Sequence, residues 1–102
     1  MTEQTGDVTV TRDEAGSRYQ VFVGDRVAGF AAYREEGEQT VFTHTEVGAE
    51  FGGQGLGKVL AAGALDDTVR RGRTIVPLCP FIAKYLQRAE GYEEHVDWNA
   101  HR

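Results

Sequence analysis

A chain of 102 residues with 11 basic and 16 acidic side chains and a net charge of −5 is long enough for one core that buries roughly 60–70% of the unfolded surface, and too short for a second domain. The acidic balance argues against non-specific nucleic-acid binding, which needs clustered cations to release counterions. No apolar run approaches the roughly 20 residues of a membrane span, and the opening MTEQTGD is polar where a secretory leader is basic and then apolar, so a cytoplasmic location without a membrane partner is expected.

In chain order, DVTVTRD alternates Val8 and Val10 with Thr9 and Thr11, the period of a half-buried strand, and EAGS turns it. RYQVFVGDRVAGFAAYREE reads as a hairpin. Tyr19, Val21 and Val23 alternate up to a Gly24-Asp25 turn, and Val27 to Tyr33 return. After a bend at Gly37, Thr40 to Val47 is rich in β-branched and aromatic residues and predicts a buried strand. The period then changes. Leu56, Val59, Leu60, Ala64 and Leu65 recur at helical spacing, predicting a helix to about Arg71, with Arg70 and Arg71 at the negative end of its dipole and Gly72 as its cap. TIVPLC is a short apolar strand. PFIAKYLQRAE predicts a second helix with Pro80 at its first position and Gly91 ending it. The tail HVDWNAHR leaves room for at most a short strand or loop, with Trp98 folded back on the sheet or turned to a partner. The expected fold is therefore one α/β domain over residues 1–102: antiparallel N-terminal strands followed by a β-α-β-α unit whose strands 4 and 5 are parallel.

The stretch FGGQGLGKVL, at the junction of the fourth strand and the first helix, carries glycines at 52, 53, 55 and 57. Backbone amides left unshielded in this way can close on an anion, and a phosphate is the obvious guest. Gly52 to Lys58 nearly spells a P-loop, but Val59 stands where a hydroxyl would hold magnesium, and the chain is too short for the parallel sheet of that fold. A dinucleotide fingerprint from Gly53 needs glycine at 58, where there is Lys58.

VGAEFGGQGLG, Val47 to Gly57, resembles the coenzyme A segment of the GNAT acyltransferase superfamily, V-x-P-E-Y-R-G-Q-G-I-G, at Val47, Glu50, Phe51, Gly53, Gln54, Gly55, Leu56 and Gly57. It departs at Ala49, where the pattern has Pro, and at Gly52, where it has Arg or Gln. That second departure leaves pyrophosphate binding to backbone amides, the helix dipole and Lys58. FTHTEV, GQGLGKVL, IVPLCPFIAKYL and the closing GY extend the resemblance, over about Val41 to Tyr92, to small GNAT-like proteins of unassigned substrate. The resemblance implies acetyl-CoA as cofactor, bound by Val47, Gly52, Gly53, Gln54, Gly55, Leu56, Gly57 and Lys58. It also implies a sheet splayed between strands 4 and 5, with the pantetheine arm in the gap near Val47. Larger relatives place two helices where this chain has only EAGS, so the acceptor side is expected to be open and to admit an amine on a protein or peptide.

Acyl transfer needs a neutral amine, a donor for the oxyanion and a proton for the leaving thiolate. His44 is one candidate base, because imidazole exchanges its proton near neutral pH; a histidine satisfied by a sheet neighbour is the alternative. Glu46 is a second candidate, since many GNAT enzymes use a carboxylate on this strand, and it is equally a solvated charge. Cys79 is expected across the splay from His44, at a helix start that favours thiolate. It can carry acetyl, supply a proton, line the channel or simply fill the core. The family pattern N-x-x-A-x-x-x-Y-x-x-x-G-F, laid on Ala83 and Gly91-Tyr92, puts Gln87 at the tyrosine that protonates the thiolate. Tyr85 lies two residues earlier, about 200° around the helix. The missing Arg and displaced Tyr keep a second reading open: a non-catalytic acyl-CoA-binding or protein-interaction module with this fold.

Overall fold

The computed structural model describes residues 7–52 and 55–98, in five strands and two helices. They are β1 (Val8–Asp13), β2 (Arg18–Val23), β3 (Arg26–Glu36), β4 (Gln39–Val47), α1 (Leu56–Arg70), β5 (Thr74–Pro77) and α2 (Pro80–Arg88). Single 3₁₀ turns span Ala49–Phe51 and Glu93–His95. The strands form one sheet in the order β1-β2-β3-β4-β5; the first three joins are antiparallel and β4–β5 is parallel, as the patterning predicts.

The sequence signals act where the residues place them. The β2–β3 turn carries Gly24 at φ 62°, and Gly72 and Gly91 take φ 76° and 97° after the two helices, a region closed to most side chains. Strand β5 is shorter than TIVPLC suggests. Its pairing ends at Phe42↔Pro77, and the amides of Leu78 and Cys79 both turn to the Phe42 carbonyl, at 3.1 and 2.9 Å, as the chain leaves the sheet for α2. At the C-terminal end the tail forms a single parallel bridge, Ile75↔Val96. Trp98 is half exposed, and the last four residues of the tail lie outside the described residues.

Two irregularities in register control which side chains face the core. On β3, Ala28 is an extra residue between Val21↔Gly29 and Phe22↔Val27. On β4, Thr43 is extra between Tyr33↔Phe42 and Ala32↔His44. Phe42 and Thr45, three apart, consequently share the core face with Tyr19, Ala31 and Tyr33, while His44 shares the other face with Ala32 and Arg18. The core itself is an aromatic cluster, with Tyr19 5.4 Å from Tyr33 and 6.2 Å from Phe42 between ring centroids, packed with Leu60, Ala61, Ala64 and Leu65 of α1 and Ile82 of α2.

Near its C-terminal end α1 is tied to the sheet by polar contacts. The buried Tyr19 hydroxyl donates to Asp67 at 2.6 Å, and Arg71 donates to Asp67 (3.1 Å), to Tyr19 (3.0 Å) and to Glu35 (2.9 Å). Burial alone would raise the Asp67 carboxyl, but the bonds from Tyr19, Arg70 and Arg71 outweigh it and hold Asp67 below the ordinary carboxylate range. Burial, and then the bond to Asp67, push the Tyr19 hydroxyl up.

Candidate active site

Strands β4 and β5 run together only from Gln39↔Thr74 to Phe42↔Pro77; beyond Phe42, β4 continues for five residues to Val47 without β5 beside it. The parting follows from Pro77, which has no amide for a further ladder bond, and from Pro80, which starts α2 and turns the chain away. A gap is left between the end of β4 and the start of α2. On its core side the Thr45 hydroxyl and the Cys79 thiol lie 3.2 Å apart, with Cys79 buried as the residue before α2.

The four catalytic candidates are not brought together. His44 points to the opposite face of β4 from Thr45, its ring 6.0 Å from Phe30 and its Nε2 2.8 Å from Glu46 Oε2. The side chains of His44 and Glu46 are 58% and 64% exposed, on a face shared with half-exposed Arg18, Gln20, Phe30 and Ala32. His44 and Glu46 thus form one couple, and Cys79 and Thr45 another. The expectation that His44 and Cys79 flank one gap overlooks the extra residue at Thr43, which turns Thr45 rather than His44 toward the thiol. Tyr85 is half-buried on α2 and lines a groove with Phe81. Thr45 was missed because strand alternation counted from Phe42 puts it on the wrong face.

The cofactor candidates divide as well. Val47 ends β4 opposite Gly29, and the following amide, of Gly48, donates to Ala28 at 2.7 Å, so the strand is held to its last residue. A Cβ at Gly29 would sit 2.4 Å from the Glu46 carbonyl, which explains the glycine. The Gly52 amide closes the 3₁₀ turn onto Ala49 at 3.0 Å and is not presented to a ligand as the sequence suggested. Gly53 and Gln54 lie outside the described residues. Gly55 precedes α1 at φ 72°, a left-handed conformation that favours glycine. Helix α1 then begins with no side-chain cap and no acidic residue in its first turn, so among the described residues no side chain accepts from the amides of Leu56, Gly57 and Lys58. Leu56 itself is buried and anchors that turn to the core. Arg26, at the start of β3, steadies the approach from the other side: it pairs with Glu50 and lies over the Phe51 ring, 5.2 Å from its centroid.

From the first turn of α1 a groove of about 470 Å³ runs along α2, lined by Lys58, Phe81, Lys84, Tyr85, Arg88 and Ala89. Phe81 lies close against the helix start, since a Cβ on Gly57 would meet its ring at 2.8 Å. A phosphate-bearing ligand with an extended arm fits this architecture: uncapped amides and a lysine for the phosphates, and a strand end without a neighbour for the arm. Among the described residues there is no cluster of three or more His, Cys, Asp or Glu that could hold a metal ion.

Comparison with known proteins agrees with the geometry. The profile of the GCN5-related N-acetyl-transferase family matches residues 18–96. The solution NMR structure of a GCN5-like protein from Staphylococcus aureus superposes with a TM-score of 0.65 at 20% identity, covering 92% of this chain and 95% of that one, a likeness of fold. No curated protein matches the sequence.

Proposed function

Because the chain belongs to the GCN5-related N-acetyltransferase family, we propose that it transfers acetyl from acetyl-CoA to an amine presented at the open face of the sheet. The observation that carries this reading is the parting of β4 from β5 after Phe42, with the Thr45–Cys79 couple on its core side and the uncapped start of α1 beyond it. Acetyl-CoA supplies an activated acetyl group as a thioester, so attack by the amine forms the C–N bond as the C–S bond breaks.

The chain's own residues then have separable tasks. The amides of Leu56, Gly57 and Lys58, with the positive end of α1, would hold the pyrophosphate. The free end of β4 near Val47 would align the arm. His44 takes the amine's proton: with the hydrogen on Nε2 directed to Glu46, Nδ1 is the accepting atom, and the carboxylate stabilises the imidazolium that results. Glu46 is thereby a partner of His44 and a base in its own right. Cys79 lines the gap and can return a proton to the departing thiolate, a task for which Gln87, at the family's usual tyrosine position, has no acidic proton; Tyr85, half-buried in the groove, is the other donor at hand. The exposure of His44 and Glu46 favours a large acceptor, such as a lysine or amino terminus of a peptide or protein, over a small molecule that needs enclosure.

The test is release of free thiol from acetyl-CoA in the presence of lysine-bearing and N-terminally free peptides, followed by mass analysis of the peptides. Peptides gaining one acetyl mass support the transferase. Saturable CoA binding with no thiol release from any peptide would favour the rival, a binding module that retains the cradle without the chemistry.

A further inference from the structure

Ten Lys and Arg side chains fall among the described residues, and their partners divide them sharply. Seven form ion pairs with a carboxylate: Arg12, Arg18, Arg26, Arg34, Arg70, Arg71 and Arg73. The other three, Lys58, Lys84 and Arg88, have no carboxylate partner among the described residues, and all three line the groove between α1 and α2. In a chain of net charge −5, these three are the cations left without a carboxylate among the described residues, and they share one groove.

Lys58 belongs to the first turn of α1, beside the amides assigned to the pyrophosphate. Lys84 and Arg88 are one turn apart on α2, about 6 Å along its axis, on the stripe that also carries Phe81 and Tyr85. The amides and Lys58 already answer a pyrophosphate, so two further cations, displaced along the groove from the helix start, call for a second anionic group on the same ligand. Resting on the proposed use of acetyl-CoA, we infer that Lys84 and Arg88 read the 3′-phosphate of the cofactor and make this protein discriminate CoA from its 3′-dephospho form. That phosphate has a second ionisation near pH 6 and is close to a dianion at neutral pH, which suits a lysine point charge beside a guanidinium fork. Because the protein as a whole repels anions, this local pair has a large share in capturing the ligand, and the effect is screened by salt, whose Debye length is about 10 Å at 0.1 M.

Calorimetric dissociation constants for CoA and 3′-dephospho-CoA, measured at low salt on the parent and on a Lys84→Ala, Arg88→Ala double variant, test this directly. Both positions are exposed and alanine favours helix, so the fold is retained, which a thermal melt verifies. The expected result is a parent preference for CoA of about tenfold or more, with a variant that loses affinity for CoA, keeps its affinity for the dephospho form, and so loses the preference. Equal binding of the two ligands by the parent, or an equal loss for both in the variant, would overturn the assignment while leaving the cofactor reading intact. A folded parent that binds neither ligand would overturn the cofactor reading and this inference with it.

Discussion

Replacing Asp67 by Asn should weaken the fold without touching the site. Asp67 accepts from Tyr19 and Arg71, lies 3.7 Å from the Arg12 guanidinium and is 24% exposed, whereas Arg70, its fourth partner, is 72% exposed and contributes little. Asparagine keeps an acceptor for Tyr19 but turns a charge-assisted bond into a neutral one, roughly half as strong, and removes the attraction to Arg71, which retains Glu35. The expected cost is about 1–2 kcal/mol, or a fall of roughly 5–15 °C in Tm for a chain of this size. The pH dependence carries its own sign. Because folding depresses the Asp67 pKa, its contribution is complete above the unfolded carboxylate value near 4 and fades as pH falls through the folded value below it. Urea titrations of parent and variant should therefore differ most at pH 5–8 and converge toward pH 2–3. The start of α1 lies about 17 Å from Asp67 along the helix, so CoA affinity at 15 °C should be unchanged. A gap that persists undiminished at pH 3, or a folded variant with impaired CoA binding, would refute the reasoning.

Gly57→Val places a branched side chain against Phe81, whose ring is half exposed and can swing aside; the protein should fold, and its CoA affinity by calorimetry should fall at least tenfold as the first-turn amides are shielded. Incubation with acetyl-CoA alone should add no acetyl mass, and Cys79→Ala should keep most of the turnover. By contrast, His44→Ala should lose more activity than Glu46→Ala and flatten the pH–rate profile, whereas full activity in a His44→Ala, Cys79→Ala double variant would remove both residues from the mechanism. Tyr19→Phe should lose its stability deficit in alkali. The raised Tyr19 pKa stabilises the fold below pH 10, and that advantage disappears as the parent's tyrosine ionises, which melts at pH 8 and pH 11 would reveal.

Element types and their order were legible because Val, Thr and aromatic alternation, the helical spacing from Leu56 onward, and the Gly72, Pro80 and Gly91 stops all act locally. The turn into α1 was legible for the same reason: Gly55 takes a left-handed conformation directly before the helix. What escaped were the consequences of long-range pairing. Nothing near Thr43 announces that β4 carries an extra residue opposite β3, yet that residue decides that Thr45 and not His44 meets Cys79. The shielding of seven cations by carboxylates, some of them dozens of residues away, was equally hidden, so nothing in the sequence set Lys84 and Arg88 apart from the other cations.

The sheet order follows the chain order, and that simplicity has a kinetic side. Three joins close as hairpins between neighbours in sequence, whereas β4 meets β5 only after α1 has formed the crossover that brings residue 74 beside residue 39. Local joins carry less loop-closure entropy than the non-local one, so the cleft between β4 and α2 is expected to assemble last and open first, an order that φ-values and hydrogen exchange would test. A ligand bridging α1 and α2 is then also a clasp on the weakest seam, stabilising the native state in proportion to the logarithm of its concentration above Kd. Amides of β5 should exchange with solvent more slowly when CoA is saturating. With CoA as the proposed ligand, a supply above Kd should lengthen the life of the folded state, which proteolysis with and without CoA would measure.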